Sequence, residues 1–513
     1  MKKFLLIYPN QQEVGCKPPA ISCLSAVVKG AGHGFKLLDM TPYEIVSGIV
    51  SKEIGEERFE YKKVSNPERL PPRTKISLEE FKGLLRRLIE DYRPDLIGFT
   101  TIIHFFPMAK KLGTFIKTFS SVPIIVGGVH PTARPDEVIG EPFVDMLCMG
   151  EGEGALVELL NRMDEGKGIE TIRNLWVKSG KKIIKNELRP IVDNIDTLPL
   201  PDWSDFPDIQ FYKPYMGHVY KYGDIERSRG CPFNCAYCIN PYTHSLYGKK
   251  SYYRAKSTSR MMEELHFLKD KYSLEFLRFW DELFVENKAK FAEFSRAYAR
   301  EIALPFTIET TGESIDDETA RLLKDMNCQS ASIGFETGSE DLRRRILNKK
   351  TKNEVYLNAF RTLKKFGIRT VAFIMLALPE DNEQNYWDTI RFLKDAEADT
   401  ICVSFLYPFR NTMIRDKFGD VYEKLYPHID EDVANTKLDI YPILTDVSKE
   451  QWLEMGNLMP IYKEVPEWLW PLVNRCARSN DAKDKAYFQF LKKLIYKNKY
   501  GEWPDKNDAG VLV

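Results

Sequence analysis

The sequence predicts an α/β protein in three parts: an N-terminal doubly wound, flavodoxin- or Rossmann-like parallel sheet, a partial (β/α)6 TIM-like barrel, and a helical C-terminal region. Short apolar runs alternate with amphipathic stretches through about the first 160 residues, as parallel strands joined by right-handed helical crossovers require. A second alternation of strand-like and helix-like segments begins near Asp224. Beyond residue 425 the chain is helix-prone and rich in aromatic residues.

Length, charge and composition restrict the classes to which the protein can belong. At roughly 100–200 residues per domain, 513 residues predict two to four domains. The 74 basic and 74 acidic side chains cancel, so the basic excess typical of nucleic-acid-binding proteins is missing. No apolar run reaches the roughly 18–20 residues that span a bilayer, and the apolar start is too short for a signal peptide. These features predict a cytoplasmic protein without a membrane span.

The elements of the N-terminal sheet follow from apolar runs that end at glycine, proline or asparagine. The predicted strands cover residues 4–8, 35–40, 96–100, 123–127 and 145–149. The predicted helices cover residues 20–30, 79–92, 108–119 and 155–163, and a charged insert at 44–76 has weak periodicity. We therefore assign residues 1–165 to this domain. Residues 166–220 are predicted to be a connector, because they include a proline-rich stretch.

The second alternation predicts six strand–helix units of a partial barrel. The predicted strands cover residues 225–228, 274–280, 306–310, 330–335, 370–378 and 401–407. The predicted helices cover residues 259–272, 288–302, 316–326, 352–366 and 383–396. In folds of this type the active site gathers at the C-terminal ends of the strands. Residues 221–425 are assigned to this barrel and residues 426–513 to a helical C-terminal domain.

Three of the nine cysteines lie close together directly after the first predicted strand of the barrel. Cys231, Cys235 and Cys238 have the spacing C-x3-C-x2-C, so their thiolates can reach one metal centre. Three thiolates are one short of a closed four-cysteine cluster and leave one iron open to a ligand. A structural zinc site, the alternative, uses four ligands in two separated pairs, and only His244 follows nearby. The other cysteines are scattered, and a buried thiol is the default for those in apolar runs.

This pattern resembles the radical SAM superfamily, whose three cysteines carry an aromatic residue, here Tyr237, before the third. Segments at the ends of later strands resemble one branch of it, the radical SAM enzymes with an N-terminal cobalamin-binding domain. Those segments are residues 279–284, 334–340, 372–380 and 407–412. The resemblance covers roughly residues 1–415 and rests on the ordered set of motifs.

The resemblance implies a cofactor set and a use for the three cysteines. Cys231, Cys235 and Cys238 would hold a [4Fe-4S] cluster whose open iron binds S-adenosylmethionine (SAM). One electron from the cluster would cleave SAM to a 5′-deoxyadenosyl radical. The backbone at Tyr237 would meet the adenine of SAM. The protein itself would position the cofactors and exclude side reactions.

Residues at the ends of later strands are implied as further contacts of SAM. Glu336 would bind the ribose hydroxyls or the amine, although a carboxylate at a helix start has the same sequence signature. Asp281 and its neighbour Glu282 would line the site or cap the next turn. Adenine would pack against Ile374 and Leu378. The family's Gly-x-Pro-Gly-Glu-like turn after the fifth strand is Ala-Leu-Pro-Glu-Asp here, so both glycines are replaced.

Ligands of open α/β sheets bind at the C-terminal ends of the strands, near the point where the strand order reverses. The resemblance implies that loops at this edge shape a cobalamin site. The residues concerned are Pro9, Asn10, Thr100, Thr101, Gly127, Gly128, His130, Thr132, Gly150 and Glu151. The Asp-x-His-x-x-Gly signature that supplies a histidine to cobalt in methionine-synthase-like domains is absent. Cobalamin is therefore predicted to bind without a histidine ligand from the protein.

The resemblance implies a cobalamin-dependent radical SAM methyltransferase. It would act on an unactivated carbon or phosphorus centre of a small-molecule substrate, with a one-electron donor such as flavodoxin or ferredoxin. A radical oxidative cyclisation, rearrangement or carbon–carbon coupling without net methylation is the enzymatic alternative, because anaerobic magnesium-porphyrin ring cyclases share the architecture. An iron–sulfur and cobalamin redox sensor is the non-enzymatic one. Nucleic acid is a weaker option, because the basic cluster at residues 343–350 is interpreted as a solvated face.

Overall fold

The computed structural model describes residues 1–10, 17–45, 65–248, 252–429 and 440–500. The chain divides into two compact units, and a seven-stranded sheet forms the centre of each. The first unit comprises Met1–Gly55, Glu68–Lys213 and Arg254–Arg260. The second comprises Glu56–Pro67, Pro214–Tyr253 and Met261–Val513. The predicted boundaries near residues 165, 220 and 425 stay a prediction.

The first sheet consists of five parallel strands and an antiparallel hairpin. Its strands are β1 (Lys3–Tyr8), β2 (Gly34–Asp39), β3 (Leu96–Thr100), β4 (Ile124–Gly127), β5 (Met146–Cys148), β6 (Leu175–Ser179) and β7 (Lys182–Lys185). Their spatial order is β2-β1-β3-β4-β5-β6-β7, with β1 to β5 parallel. The 2-1-3-4-5 part of this order is flavodoxin-like, so the strand order reverses between β1 and β3.

In the described ranges of the first unit, six α-helices accompany the parallel strands of the first sheet. They are α1 (Pro19–Gly30), α2 (Leu78–Tyr92), α3 (Phe106–Lys117), α4 (Val129–Ala133), α5 (Pro135–Gly140) and α6 (Glu153–Glu165). Helix α2 shows how the local sequence sets an element. Ser77 and Glu80 form a capping box at its start, and Phe81, Leu85 and Ile89 repeat every four residues and are buried in the core. The predicted strands and helices of this sheet are confirmed to within two residues.

The hairpin of β6 and β7 lies within the predicted connector and extends the first sheet beyond β5. Its strands are short, and only alternate residues of β6, Leu175 and Val177, are buried. Such a short and half-polar pattern is a weak strand signal in a sequence. In the predicted insert, Tyr43–Ile45 and Thr74–Ile76 form a small parallel pair, and residues 46–64 lie outside the described part of the chain.

The second sheet is an open half-barrel. Its strands are β8 (Tyr212–Tyr215), β9 (His218–Ile225), β10 (Phe276–Phe279), β11 (Phe306–Thr310), β12 (Cys328–Glu336), β13 (Arg369–Leu376) and β14 (Thr400–Phe405). They lie side by side in sequence order, and β9 to β14 are parallel. The predicted partial barrel of six parallel strands is confirmed. The prediction of its first strand at residues 225–228 is wrong, because β9 ends at Ile225.

Helices follow the strands of the half-barrel and form the C-terminal region. They are α7 (Asn240–Tyr247), α8 (Thr258–Tyr272), α9 (Lys288–Glu301), α10 (Asp317–Asp325), α11 (Glu340–Arg345), α12 (Asn353–Lys365), α13 (Glu383–Asp395), α14 (Met413–Leu425), α15 (Lys449–Glu464), α16 (Trp470–Arg478) and α17 (Ala482–Tyr500). The C-terminal region is helical where the structure describes it, as predicted. In the described ranges no helix is both long and apolar enough to cross a bilayer.

The two faces of the half-barrel differ in exposure. On β13, Ala372, Ile374 and Leu376 are buried, whereas Phe373 and Met375, which point to the opposite face, are partly exposed. Side chains alternate between the faces of a strand, and the face covered by helices is the apolar one. The second face therefore stays accessible, and it is the face on which a ligand can bind.

Candidate functional site

The three clustered cysteines lie on a loop beyond the C-terminal end of β9. We call residues 230–239 the cysteine loop. Cys231, Cys235 and Cys238 are free and partly exposed thiols. Partial burial, which disfavours the charged thiolate, raises the pKa of Cys231 to about 12 and that of Cys238 to about 11. It also raises the pKa of Cys235, although Lys349 opposes this effect. All three are protonated thiols near neutral pH, so binding a metal centre here releases protons.

Backbone contacts from distant parts of the second unit hold the cysteine loop. The amide of Ala236 donates to the carbonyl oxygen of Leu347 (2.9 Å), and its own carbonyl accepts from the amide of Ile414 (3.0 Å). The side chain of Asn348 donates to the carbonyl oxygen of Asn234 (2.7 Å). The loop contains no regular strand, yet its centre is fixed on both sides. Three thiols on a loop held in this way fit a cluster that takes three protein ligands and leaves one iron open.

The arrangement does not match a single-ion site. Among the residues that the structure describes, no group of three or more His, Cys, Asp or Glu side chains is placed to hold one metal ion. A zinc ion needs four ligands within roughly 2.0–2.3 Å of one point. The histidine considered as a zinc ligand, His244, directs both ring nitrogens at the cysteine loop instead. A cubane, in contrast, binds each thiolate through a different iron and tolerates wider spacing.

Glu336 lies at the C-terminal end of β12 and is held by two donors on one oxygen. Its Oε1 accepts from the hydroxyl of Tyr237 (2.8 Å) and from the ammonium of Lys349 (3.0 Å). Lys349 also donates to the carbonyl oxygen of Gly334 (2.7 Å). Burial alone would lower the pKa of Lys349, but the carboxylate of Glu336 raises it above its ordinary value. The structure thus joins Tyr237 and Glu336, both predicted site residues, and adds Lys349, which was predicted to be part of a solvated basic cluster.

The backbone around Glu336 is shaped for this contact. Glu336 has φ of 70°, a left-handed conformation that costs a non-glycine residue roughly 1–2 kcal/mol. The strand register shifts between Gly334 and Glu336. A Cβ atom on Gly334 would lie 2.7 Å from Oε1 of Glu336 and 3.1 Å from Nζ of Lys349. Strained backbone of this kind persists where the surroundings over-determine it, typically at binding sites. Oε2 of Glu336 forms no hydrogen bond with any described residue and stays available to a ligand.

The two acidic residues after β10 have different surroundings. Asp281 is buried, and its oxygens accept from the amide of Arg227 (3.1 Å) and the hydroxyl of Ser228. Burial raises its pKa despite the nearby guanidinium of Arg227. Asp281 therefore anchors the segment that leads into the cysteine loop, and a role for it at the SAM site stays a prediction. Glu282 is exposed, and its Oε2 accepts from the side-chain Nδ2 of Asn240 (2.7 Å). The surrounding protein and neighbouring carboxylates raise the pKa of Glu282.

The turn after β13 keeps an unusual backbone without the glycines. Ala377 and Glu380 occupy the two positions where glycines were expected, and they have φ of 58° and 66°. The replaced residues thus adopt the left-handed conformation that glycine favours. Leu378 and Ile374 are buried, and Ile374 lies on the helix-covered face of β13. A role for Ile374 and Leu378 as adenine contacts stays a prediction, and neither is accessible in this structure.

The basic cluster at residues 343–350 is only partly exposed, although it was predicted to be a solvated face. Arg343 is buried and donates to the carbonyl oxygens of Thr337 (2.6 Å) and Thr351 (2.8 Å). Its guanidinium also lies over the rings of Phe335 and Tyr356. The interpretation as a solvated face is therefore wrong for Arg343, and also for Lys349, whose ammonium is held by Glu336 and the carbonyl oxygen of Gly334. The neighbours of Arg343 at 344 and 345 are exposed and pair with acidic side chains, as a solvated face requires.

At the edge of the first sheet, hydrogen bonds connect the loops after β3 and β4. The amide of Thr101 donates to the carbonyl oxygen of Gly127 (2.9 Å), and the amide of His130 donates to that of Thr101 (3.1 Å). Gly128 has φ of 106°, and a Cβ atom there would lie 2.6 Å from the carbonyl oxygen of Thr101. A Cβ atom on Gly127 would meet nothing within 4 Å. Gly127 therefore faces open space at the sheet edge, with Thr100 paired to it on β3.

A second set of bonds adds the loop after β5. The hydroxyl of Thr132 donates to the carbonyl oxygen of Gly128 (2.9 Å) and accepts from the amide of Gly150 (2.9 Å). The carboxylate of Glu151 accepts from Arg254 and from the amide of Val192, at 2.9 Å each. The predicted residues Thr101, Gly127, Gly128, His130, Thr132 and Gly150 thus form one connected edge. Glu151 follows Gly150 in the chain, but its carboxylate binds Val192 and Arg254 and is not free at this edge.

Two predicted residues after β1 point inward. Pro9 and Asn10 are buried, and the side chain of Asn10 donates to the hydroxyl of Thr41 (2.7 Å). Gln210 donates to the same hydroxyl (2.9 Å) and to Asp39 (2.7 Å). Burial raises the pKa of Asp39. These contacts fasten the segment around Gln210 over the ends of β1 and β2, so the open part of the edge lies at β3 to β5.

His130 is not presented as a metal ligand. Its ring is buried and packs against Phe106, with 4.4 Å between ring centroids. Burial, followed by the nearby Arg134, lowers the pKa of His130 to about 3, so the imidazole is neutral at physiological pH. The side chain fills the core beneath the loop after β4. Binding of cobalamin without a histidine ligand from the protein stays a prediction.

Two family models match the chain in the regions that carry these two sites. Residues 83–160 match the B12 binding domain, and residues 225–393 match the radical SAM superfamily. The first match covers β3 to β5 and the loops of the connected edge. The second begins at the end of β9 and includes the cysteine loop, Glu336 and Lys349.

Similar proteins span much of the chain at low identity. An uncharacterised methyltransferase of Pyrococcus horikoshii is 25% identical over 64% of this chain and 70% of its own length. The anaerobic magnesium-protoporphyrin IX monomethyl ester cyclase of Rubrivivax gelatinosus is 23% identical over 73% of this chain and 65% of its own length. The radical SAM methyltransferase TsrM of Kitasatospora setae, solved with cobalamin and a [4Fe-4S] cluster, superposes with a TM-score of 0.62. The two chains are 17% identical, and the superposition covers 82% of this chain and 75% of the TsrM chain. The solved structure shows a shared fold.

Proposed function

We propose that the chain is a cobalamin-dependent radical SAM methyltransferase, because residues 83–160 match the B12 binding domain and residues 225–393 match the radical SAM superfamily. It would transfer a methyl group to an unactivated carbon or phosphorus centre of a small-molecule substrate. The observation that carries this proposal is the cysteine loop. Its three partly exposed thiols lie at the C-terminal edge of the six parallel strands of the half-barrel, where such folds bind their ligands.

Cys231, Cys235 and Cys238 would hold a [4Fe-4S] cluster with one open iron. When bound, the cluster supplies the electron that cleaves SAM to a 5′-deoxyadenosyl radical. The chain contributes position and charge. The contacts at Ala236 hold the loop, and Glu336 offers one free carboxylate oxygen to a hydroxyl or ammonium group of SAM. Lys349 balances the charge of that carboxylate in its buried surroundings.

In the first unit, the open space over Gly127 supports cobalamin binding at the ends of β3 to β5. A flat ligand can approach glycine backbone closely, because no Cβ intervenes. His130, which belongs to the connected edge, is buried and neutral. We therefore propose that cobalamin binds without a histidine ligand from this chain. A flavodoxin or ferredoxin in the cytoplasm would supply the electron.

A second function is supported by the relative from Rubrivivax gelatinosus, whose name is that of a cyclase and which aligns over 73% of this chain. An oxidative cyclisation or another radical rearrangement would use the same SAM site without net methyl transfer. SAM labelled with deuterium in its methyl group separates the two. Label in the product means methylation, and an unlabelled, rearranged product means the alternative.

The proposal is tested with anaerobically reconstituted and reduced protein. We expect 5′-deoxyadenosine to form from SAM, and we expect Cys235→Ser to abolish it. Cys328→Ala is the matched control, because Cys328 is a buried thiol at the start of β12, and this variant should keep the activity. A purified protein that binds cobalamin but forms no 5′-deoxyadenosine would favour a redox sensor. Activity that survives in Cys235→Ser would refute the site.

A further inference from the structure

His244 on α7 lies against the cysteine loop and contacts it with both nitrogens of its ring. Nε2 lies 2.9 Å from the carbonyl oxygen of Cys231, and Nδ1 lies 3.0 Å from the side-chain oxygen of Asn234. The side chain is buried. We propose that His244 is a positioning residue that holds the cysteine loop in the conformation in which its three thiolates bind one cluster. This inference rests on the proposed function.

His244 acts on the metal centre through the loop and not as a ligand. A histidine that binds a metal directs one ring nitrogen at the metal and uses the other for an orienting hydrogen bond. In this structure one ring nitrogen faces a backbone carbonyl oxygen and the other faces a side-chain amide. The carbonyl belongs to the first cysteine of the motif, so the contact fixes the peptide unit next to Cys231 itself.

The contacts at residues 347 and 348 hold the loop near the second cysteine, whereas His244 contacts the first. The amide of Ala236 and the carbonyl of Asn234 are held by residues 347 and 348, near the second cysteine. At the first cysteine, Gly230 has φ of 83°, and a Cβ atom there would lie 2.7 Å from the ring of Tyr252. Tyr252 in turn contacts the ring of His244, with 5.3 Å between centroids. His244 and Tyr252 thus pack together against the first residues of the cysteine loop, Gly230 and Cys231.

Holding a loop before the metal arrives has an energetic effect. Ordering the backbone of a loop costs conformational entropy, and a loop that is already ordered does not incur this cost when the cluster binds. Residues that orient metal ligands typically change metal affinity or activity by 10–100-fold when they are replaced. Hydrogen bonds close to cluster sulfurs also influence the reduction potential. Loss of the His244 contact should therefore change both cluster retention and the spectroscopic signature.

Three variants separate the hydrogen bond from the bulk of the ring. His244→Phe keeps a ring against Tyr252 and removes both polar contacts. His244→Gln keeps a donor near the position of Nε2, within reach of the Cys231 carbonyl. His244→Asn keeps a polar group only near Nδ1, beside Asn234. The readouts are the rate of iron loss to an added chelator under anaerobic conditions and the electron paramagnetic resonance spectrum of the dithionite-reduced protein.

We expect His244→Phe to lose iron about tenfold faster than wild type and to give a shifted or broadened spectrum. His244→Gln should restore both properties, and His244→Asn should not. Circular dichroism and the thermal midpoint of the metal-free proteins identify a variant that has not folded. A folded His244→Phe with wild-type iron retention and spectrum would overturn the inference, as would rescue by Asn in place of Gln. If wild type assembles no cluster, the proposed function itself fails, which is a separate result.

Discussion

Replacing Asp381 with asparagine should stabilise the protein at neutral pH and have little effect near pH 4. Asp381 is buried in the turn between β13 and α13. Its Oδ1 accepts from the amide of Asn382 (2.9 Å) and from the side chain of Asn385 (3.2 Å), and an asparagine oxygen can accept both. No lysine or arginine forms an ion pair with Asp381 in the described part of the chain. Burial therefore raises the pKa of this carboxyl to about 7.

The sign of the effect follows from proton binding. Between the ordinary pKa of 3.8 and the folded pKa of about 7, the unfolded chain has released this proton and the folded chain still holds it. Stability therefore falls as the pH rises through this range and levels off above pH 7. At roughly 1.4 kcal/mol for each pH unit between the two pKa values, the loss is about 2 kcal/mol at pH 5.5 and at most about 4 kcal/mol above pH 7. Asparagine cannot ionise and avoids this loss.

The assay compares thermal unfolding midpoints of metal-free wild type and Asp381→Asn from pH 4 to pH 8. The difference between the two proteins isolates this one group, because all other titrations are common to both. It should grow with pH and reach a plateau above pH 7. Asp395→Asn, at an exposed position at the end of α13, is the control and should give a constant difference. A difference for Asp381→Asn that is constant or falls with pH would refute the reasoning.

Two further predictions concern the proposed sites. Lys349→Met should destabilise the protein by about 3–5 kcal/mol, because it leaves the buried carboxylate of Glu336 without its cation. The double variant with Glu336→Gln should recover part of this loss in urea unfolding, and equal stability of the single and double variants would contradict the pairing. Gly127→Leu should lower the cobalamin content of the purified protein several-fold with little change in the thermal midpoint, since its side chain enters open space. Gly128→Ala, which meets the backbone of Thr101, should instead lower the midpoint, and an unchanged cobalamin content in Gly127→Leu would argue against this edge as the site.

The extent of successful prediction differs between the two sheets for a physical reason. Strands β1, β3, β4 and β5 are nearly continuous buried apolar runs, so their positions were predictable to within two residues. The first parallel strand of the half-barrel, β9, was not predicted at its observed position. Residues His218–Ile225 include polar side chains between buried ones, because one face of β9 borders the accessible side of the sheet. That mixed pattern is typical of a loop as well as of a strand.

The candidate site likewise has a part that was predictable from the sequence and a part that was not. The spacing of Cys231, Cys235 and Cys238 is local, so a single loop can bring the three thiols together wherever the chain places it. The contact between Tyr237 and Glu336 joins residues 99 positions apart, and the individual residues were predicted while their contact was not. Lys349 had no sequence signal of its own, because a lysine in a basic run is most often solvated. The packing around β12 is what buries its ammonium beside a carboxylate.

The sequence by itself determined the order of the elements, the two sheets and the three thiols, because these depend on periodicity and on short spacings along the chain. The tertiary structure decided which charged residues have internal roles. It buried Arg343 among carbonyl oxygens, committed Asp281 to the backbone before the cysteine loop, and left Glu282 exposed. It also gave Glu380 a left-handed backbone where a glycine was expected. Such outcomes depend on which donors, acceptors and rings the fold brings together, and neighbours in space are not encoded by neighbours in sequence.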